Sequence, residues 1–138
     1  MIASSKHASE QRLTPRMVLP VGYTMVRAGI SEDKRHAWTG QIFDIGAMGM
    51  RFGLDRKLRV DTYVYIRALL PGTHTLTINV QGSIVYAEPK RDAKLGLYPM
   101  GLAFKHFDYL ADRRALISHL RDCGLEVDTH LPHHAVSA

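Results

Sequence analysis

The sequence predicts an all-β chain with a terminal helix: a six-stranded antiparallel β-barrel followed by one C-terminal α-helix. Leu76, Ile78, Val80, Gly82, Ile84 and Tyr86 share one parity, and Thr77, Asn79, Gln81 and Ser83 share the other. That is the period of two of a half-buried strand. Other short runs of β-branched and aromatic residues are separated by turn residues, with no helical spacing between them. The period changes only near Asp108, where apolar residues begin to recur at helical spacing. A sheet must cover its apolar face, and closure also removes its edges, so these strands imply a small barrel that one helix plugs.

Taken in order, Met17 to Arg27 reads as a first strand, in which Pro20 marks an edge or a bulge. Gly29 to His36 is a polar connector, and Trp38 to Ile45 is a second strand. Gly46, Ala47, Met48 and Gly49 form a small-residue turn whose two glycines can supply positive φ, and Met50 to Phe52 resumes the sheet. Thr62 to Leu70 is a strand that stops at Pro71 and Gly72. The alternating strand follows, with Gly82 as its candidate bulge, then a charged loop from Glu88 to Lys94 and a last strand from Leu97 to Phe104. Asp108 is the expected N-cap of the helix, and Gly124 its C′ residue. Tyr109, Leu110, Leu116, Ile117, Leu120 and Cys123 form its apolar face, while Asp112, Arg113, Arg114, His119 and Arg121 form a solvated one.

A chain of 138 residues fits one domain. Residues 12–124 are expected to form it, between a flexible arm at 1–11 and a flexible tail at 125–138. The content of 46% hydrophobic and 22% charged residues is ordinary for a globular protein and excludes a disordered chain. A formal net charge of +5 favours acidic partners. Cys123 is the sole cysteine, which excludes an intrachain disulfide and a thiol-rich zinc site, and its helical position reads as a small buried residue. The sequence has no apolar run long enough for a membrane span and no apolar segment near Met1, so a cytoplasmic protein is expected. His130, His133 and His134 lie in the aperiodic tail and are not read as a metal site. No nucleophile and base are brought together by any motif, and no glycine-rich phosphate loop opens a helix, so no enzyme activity is expected.

Two features point to a ligand. Arg12 and Arg16 form an Arg-x-x-x-Arg pair just before the first strand. Guanidinium groups are planar and forked, so they hold phosphate bidentately, stack on a base and donate to guanine acceptors. The run from Asp44 to Gly49 is the second feature. Phe43 and Ile45 are expected to point into the barrel, leaving Asp44 and Gly46 on the outer face. A carboxylate there either begins an Asx-turn or accepts from the N1 and N2 donors of guanine.

An Arg-x-x-x-Arg arm, a strand ending in Asp-x-Ser-x-x-Gly, and a last strand carrying Gly-x-x-Phe before a helix resemble the PilZ family; Gly101 to Phe104 supply the third motif. The resemblance covers Arg12 to Gly124. It implies a bacterial receptor for the second messenger cyclic diguanylate, bound on the outer barrel surface without a further cofactor. It also implies that Arg12 and Arg16 grip guanine edges and phosphates, that Asp44 reads a guanine, and that Gly49 allows the tight turn. Gly46 departs from the pattern by standing where the family usually has serine. On this reading the arm folds over the ligand and the changed surface alters contacts with an unidentified protein partner. The alternative is a ligand-independent adaptor of the same fold. A single-stranded nucleic-acid binder would need exposed stacking aromatics, for which Tyr63, Tyr65 and Tyr86 are available, and nucleic acid is not the expected partner.

Overall fold

A computed structural model of the chain describes residues 16–18, 25–31, 37–71 and 75–123. The elements are β1 (Arg16–Val18), β2 (Met25–Gly29), β3 (Trp38–Gly46), β4 (Gly49–Leu54), β5 (Tyr63–Leu70), β6 (Leu76–Ala87), β7 (Tyr98–Phe107) and α1 (Leu110–Asp122). All strand pairings are antiparallel, and the order β3-β2-β5-β6-β7-β4 closes through pairing of β4 with β3 into a six-stranded barrel. The expected fold class is the observed one.

Alternation builds the core. Along β5, Val64, Ile66, Ala68 and Leu70 are buried while Tyr63 and Arg67 are exposed, because successive side chains leave a strand on opposite faces. Ile78, Val80 and Ile84 do the same on β6. The helix packs against β6 and β7, where Leu116, Ile117 and Leu120 join the barrel interior in one cluster. Its first turn is fixed to the sheet by Asp112, whose Oδ2 accepts the Asn79 N–H at 2.8 Å. Asp112 therefore fastens the helix rather than belonging to a purely solvated face.

Three register shifts interrupt the alternation, and each corrects the sequence reading. On β3, Ile42 opposes Phe52 and Asp44 opposes Arg51, which leaves Phe43 as an extra residue. Ile42 and Ile45 are thus both buried, and Phe43, expected inside the barrel, is only partly buried beneath a guanidinium. On β6, Ile84 opposes Leu102 and Tyr86 opposes Gly101, so Val85 is the extra residue and Tyr86 turns away from the core parity it shares with Ile84. On β7, Gln81 opposes His106 and Gly82 opposes Phe104, which makes Lys105 the extra residue. The strand therefore continues to Phe107 instead of ending at Phe104, and both phenylalanines are buried with ring centroids 5.5 Å apart. Gly82 does sit at this irregularity, as expected.

The first strand also differs. Where one strand was expected from Met17 to Arg27, β1 and β2 are separate and lie along the same edge of β3, opposite the edge that β4 occupies. Val18 opposes Asp44 and Val26 opposes Gly40, positions eight residues apart in sequence set against positions four apart on β3. Pro20 falls between the two strands, outside the described residues. At the helix, Tyr109 and not Asp108 is the N-cap, and no side chain caps it. Asp108 instead accepts from Gln81 Nε2 at 2.7 Å and donates its N–H to the Asn79 carbonyl at 3.0 Å, tying the helix entry to β6. Tyr109 and Leu110, expected on the apolar face, are 62% and 51% exposed, and Cys123 is exposed as well. The buried residues of the helix, Leu116, Ile117 and Leu120, begin only after its first turn. Gly124, the arm at 1–11 and the tail at 125–138, with its three histidines, lie outside the described residues.

Candidate ligand-binding face

One row of residues crosses five neighbouring strands on the outer wall. The pairings run from Val18 on β1 to Asp44 on β3, Arg51 on β4, Gly101 on β7 and Tyr86 on β6. The bulges at Phe43 and Val85 lie beside the Asp44 and Tyr86 positions and set which residues face outward there.

Backbone register joins most of the sequence-predicted residues to this row. Arg16 opposes Gly46, and Val18 opposes Asp44, so β1 lies against the Asp44 to Gly46 segment. Gly49 begins β4 and opposes Ala103, two positions from Arg51 on the same strand. Arg12 lies outside the described residues. Asp44 and Gly46, expected on the open outer face, are both buried; Asp44, 8% exposed, is the one buried charged residue among those described. Positive φ occurs among the described residues at Asp61 (72°) and Gly96 (69°), so neither Gly46 nor Gly49 turns by the left-handed route expected of them.

Sequence reasoning missed Arg51, the centre of the row. Its Nε and Nη2 both reach Glu88 Oε2, at 3.2 and 2.8 Å, and its guanidinium carbon sits 4.8 Å from the Phe43 ring centroid. Burial works against its charge, but the hydrogen bond to Glu88 and the fields of Glu88, Tyr86 and Asp44 outweigh it and raise its pKa. The available signal was alternation: Met50 and Phe52 point inward, so Arg51 must point out beside Asp44. Gly101 has a matching reason to be glycine, since a Cβ there would run into the Tyr86 ring that lies over it.

Glu88 opens the loop between β6 and β7, and Asp92 holds that loop closed. The Asp92 carboxylate accepts the N–H groups of Lys94, Leu95 and Leu97 at 3.2, 2.9 and 3.0 Å. Desolvation pushes its pKa up, but these backbone bonds and the Arg51 field dominate, and the net shift is downward. A depressed folded value means that the loop contribution is present above the ordinary aspartate pKa and is lost as pH falls through the folded value. Amide protection factors at Lys94, Leu95 and Leu97 are therefore expected to drop below about pH 4, ahead of those in the core strands. Hydrogen exchange across a pH series checks this.

Tyr63 and Tyr65 stand elsewhere, on β5, packed edge to face at 5.8 Å, with the Tyr63 hydroxyl donating to Gln81 Oε1 at 3.0 Å. Among the described residues no three His, Cys, Asp or Glu side chains converge as a metal site, and no helix is long and apolar enough to cross a membrane.

No family model matches the sequence, and no curated protein matches it. Solved structures do. The inhibitor of motility MotI/DgrA from Bacillus subtilis aligns with a TM-score of 0.62 at 17% identity, over 82% of this chain and 51% of that one. MrkH from K. pneumonia, in complex with c-di-GMP, aligns with a TM-score of 0.61 at 19% identity and the same coverages of 82% and 51%. A second MrkH structure, described as a c-di-GMP-dependent transcription regulatory factor, gives 0.56 at 20% identity, again over 82% and 51%. The chain thus shares the barrel-and-helix fold of these proteins and spans about half the length of each.

Proposed function

We propose that this domain is a receptor for cyclic diguanylate, bound on the outer wall between β1 and Arg51, and that it performs no chemistry on the ligand. The register of β1 supports the reading: it sets Arg16 against Gly46 and Val18 against Asp44, the residue proposed to read a guanine. Arg51 adds a second cation between Asp44 and Tyr86. Cationic forks suit a phosphodiester and the O6 and N7 edge of guanine, a carboxylate suits its N1 and N2 donors, and an aromatic ring suits its face. The resemblance of the three motifs to the PilZ family and the fold shared with a c-di-GMP complex support the same ligand. Arg12 extends the arginine pair on the arm, and ordering the arm over the ligand changes the surface offered to a protein partner.

Gly46 is the specific observation that favours the ligand-independent adaptor, because it lacks the hydroxyl usual at that position of the motif. Its φ is not positive, so a serine is not strained there by backbone conformation. Gly46→Ser is expected to raise affinity several-fold, the equivalent of about 1 kcal/mol of hydrogen bonding, with little change in Tm. A fall in Tm means that the buried position does not accommodate the side chain. Calorimetric titration with cyclic diguanylate, alongside a single-stranded oligonucleotide, tests the receptor reading itself. Saturable binding of the dinucleotide alone supports it, and binding of neither favours the adaptor.

A further inference from the structure

Arg51 is the natural fork for the anionic ligand, yet a side chain of the protein already occupies it. Two of its three nitrogens, Nε and Nη2, which form one edge of the fork, converge on a single oxygen of Glu88. That arrangement uses the fork as a point contact. A phosphodiester offers two anionic oxygens to the same edge, which matches the parallel geometry of a guanidinium better than one carboxylate oxygen does. The pair is not sealed inside the protein: the two side chains are 30% and 42% exposed. Part-exposed ion pairs are weak ones, so exchange of one acceptor for another costs little. The guanidinium is meanwhile held in place from below by the Phe43 ring at 4.8 Å, so it need not reorganise to accept a new anion.

Glu88 is also well placed to report such an exchange. It directly follows β6, and its own N–H is bonded to the Pro99 carbonyl at 2.9 Å, so its backbone stays anchored when its side chain leaves. The rest of the loop closes on the Asp92 carboxylate and is tied to the barrel through the Arg51–Glu88 bridge and through Arg91, whose guanidinium carbon lies 4.8 Å from the Tyr98 ring centroid. We infer that Glu88 is an internal competitor for the ligand: its carboxylate holds Arg51 in the free protein, the ligand displaces it, and the loop between the anchored Glu88 backbone and Leu97 loses this side-chain tie to the wall. This rests on the receptor reading and adds to it a ligand-contacting residue and a loop that couples occupancy to the surface.

The test is titration of cyclic diguanylate into the full chain and into its Glu88→Gln and Arg51→Ala variants, with Tm measured for each. Glu88→Gln removes the competing charge at nearly constant shape and is expected to tighten binding threefold to tenfold, while Arg51→Ala weakens it at least tenfold. Amide exchange in the loop is expected to quicken on ligand addition in the parent and to be quick already in folded Glu88→Gln. If the parent binds and folded Glu88→Gln binds no more tightly, the competitor role is overturned and the receptor reading stands. If neither binds, both fall. Binding by Glu88→Gln where the parent shows none supports both. Should Glu88→Gln fail to fold, Glu88→Asp, whose shorter side chain withdraws the carboxylate from Arg51, is expected to tighten binding in the same direction, and unchanged affinity in that variant overturns the role equally.

Discussion

Arg16→Ala is expected to lower affinity for cyclic diguanylate by about tenfold to more than a hundredfold, the equivalent of roughly 1.5 to 3 kcal/mol for hydrogen bonds to a charged group. The residue begins β1, opposite Gly46, at the point where the arm meets the strand end carrying Asp44. Its backbone pairing does not depend on the side chain, and β1 is a three-residue strand outside the closed ring, so Tm should remain close to that of the parent. Calorimetry of the variant, with a melting curve beside it, measures both quantities. Unchanged affinity removes Arg16 from the site, whereas lost affinity with a large fall in Tm assigns it to the fold instead.

The largest effect on stability is expected at the helix. Leu116 is fully buried in the same cluster as the barrel residues, and the helix that carries it contacts β6 and β7. Truncation at such a site loses the transfer free energy of the removed atoms and leaves a cavity, so Leu116→Ala should cost about 2 to 5 kcal/mol. In a domain of this size that is a large part of the total stability. Denaturant unfolding followed by circular dichroism measures it. The solvent-facing Arg114→Ala on the same helix should change stability by less than about 0.5 kcal/mol. Equal effects at the two positions would show that the helix does not plug the barrel.

The barrel was legible because most of its strands obey simple alternation and stop at residues with a clear turn chemistry. Thr62 to Leu70 and the run from Leu76 onward were recognisable within a residue or two. What alternation could not reveal were the places where one residue is inserted into a pairing. A bulge is a property of two strands together, and neither Phe43, Val85 nor Lys105 announces itself in its own segment. Two of them also shape the site: the shift at Phe43 sends Ile42 and Ile45 both inward around Asp44, and the shift at Val85 brings Tyr86 outward over Gly101.

The motif residues Asp44, Gly46 and Gly49 were readable as a segment, but the registration of Arg16 against Gly46 needed long-range pairing. Arg51 belongs to none of the three motifs, although the inward Met50 and Phe52 on either side of it fix its direction. Its partner Glu88 lies 37 residues away, a separation that no local pattern spans. Asp108 shows the same limit at the helix. Its residue type suits an N-cap, and a tertiary acceptor role for Gln81 prevails over the local one.

Chemical-shift mapping of the isotopically labelled chain during titration with cyclic diguanylate tests the proposed receptor role most directly, because it reports binding and its location together. The expected result is saturable shifts confined to Arg16–Val18, Asp44–Gly49, the neighbourhood of Arg51 and the loop that begins at Glu88. Either no shifts at millimolar ligand, or shifts confined to the β2 and β5 wall around Arg27 and Arg67, would contradict it.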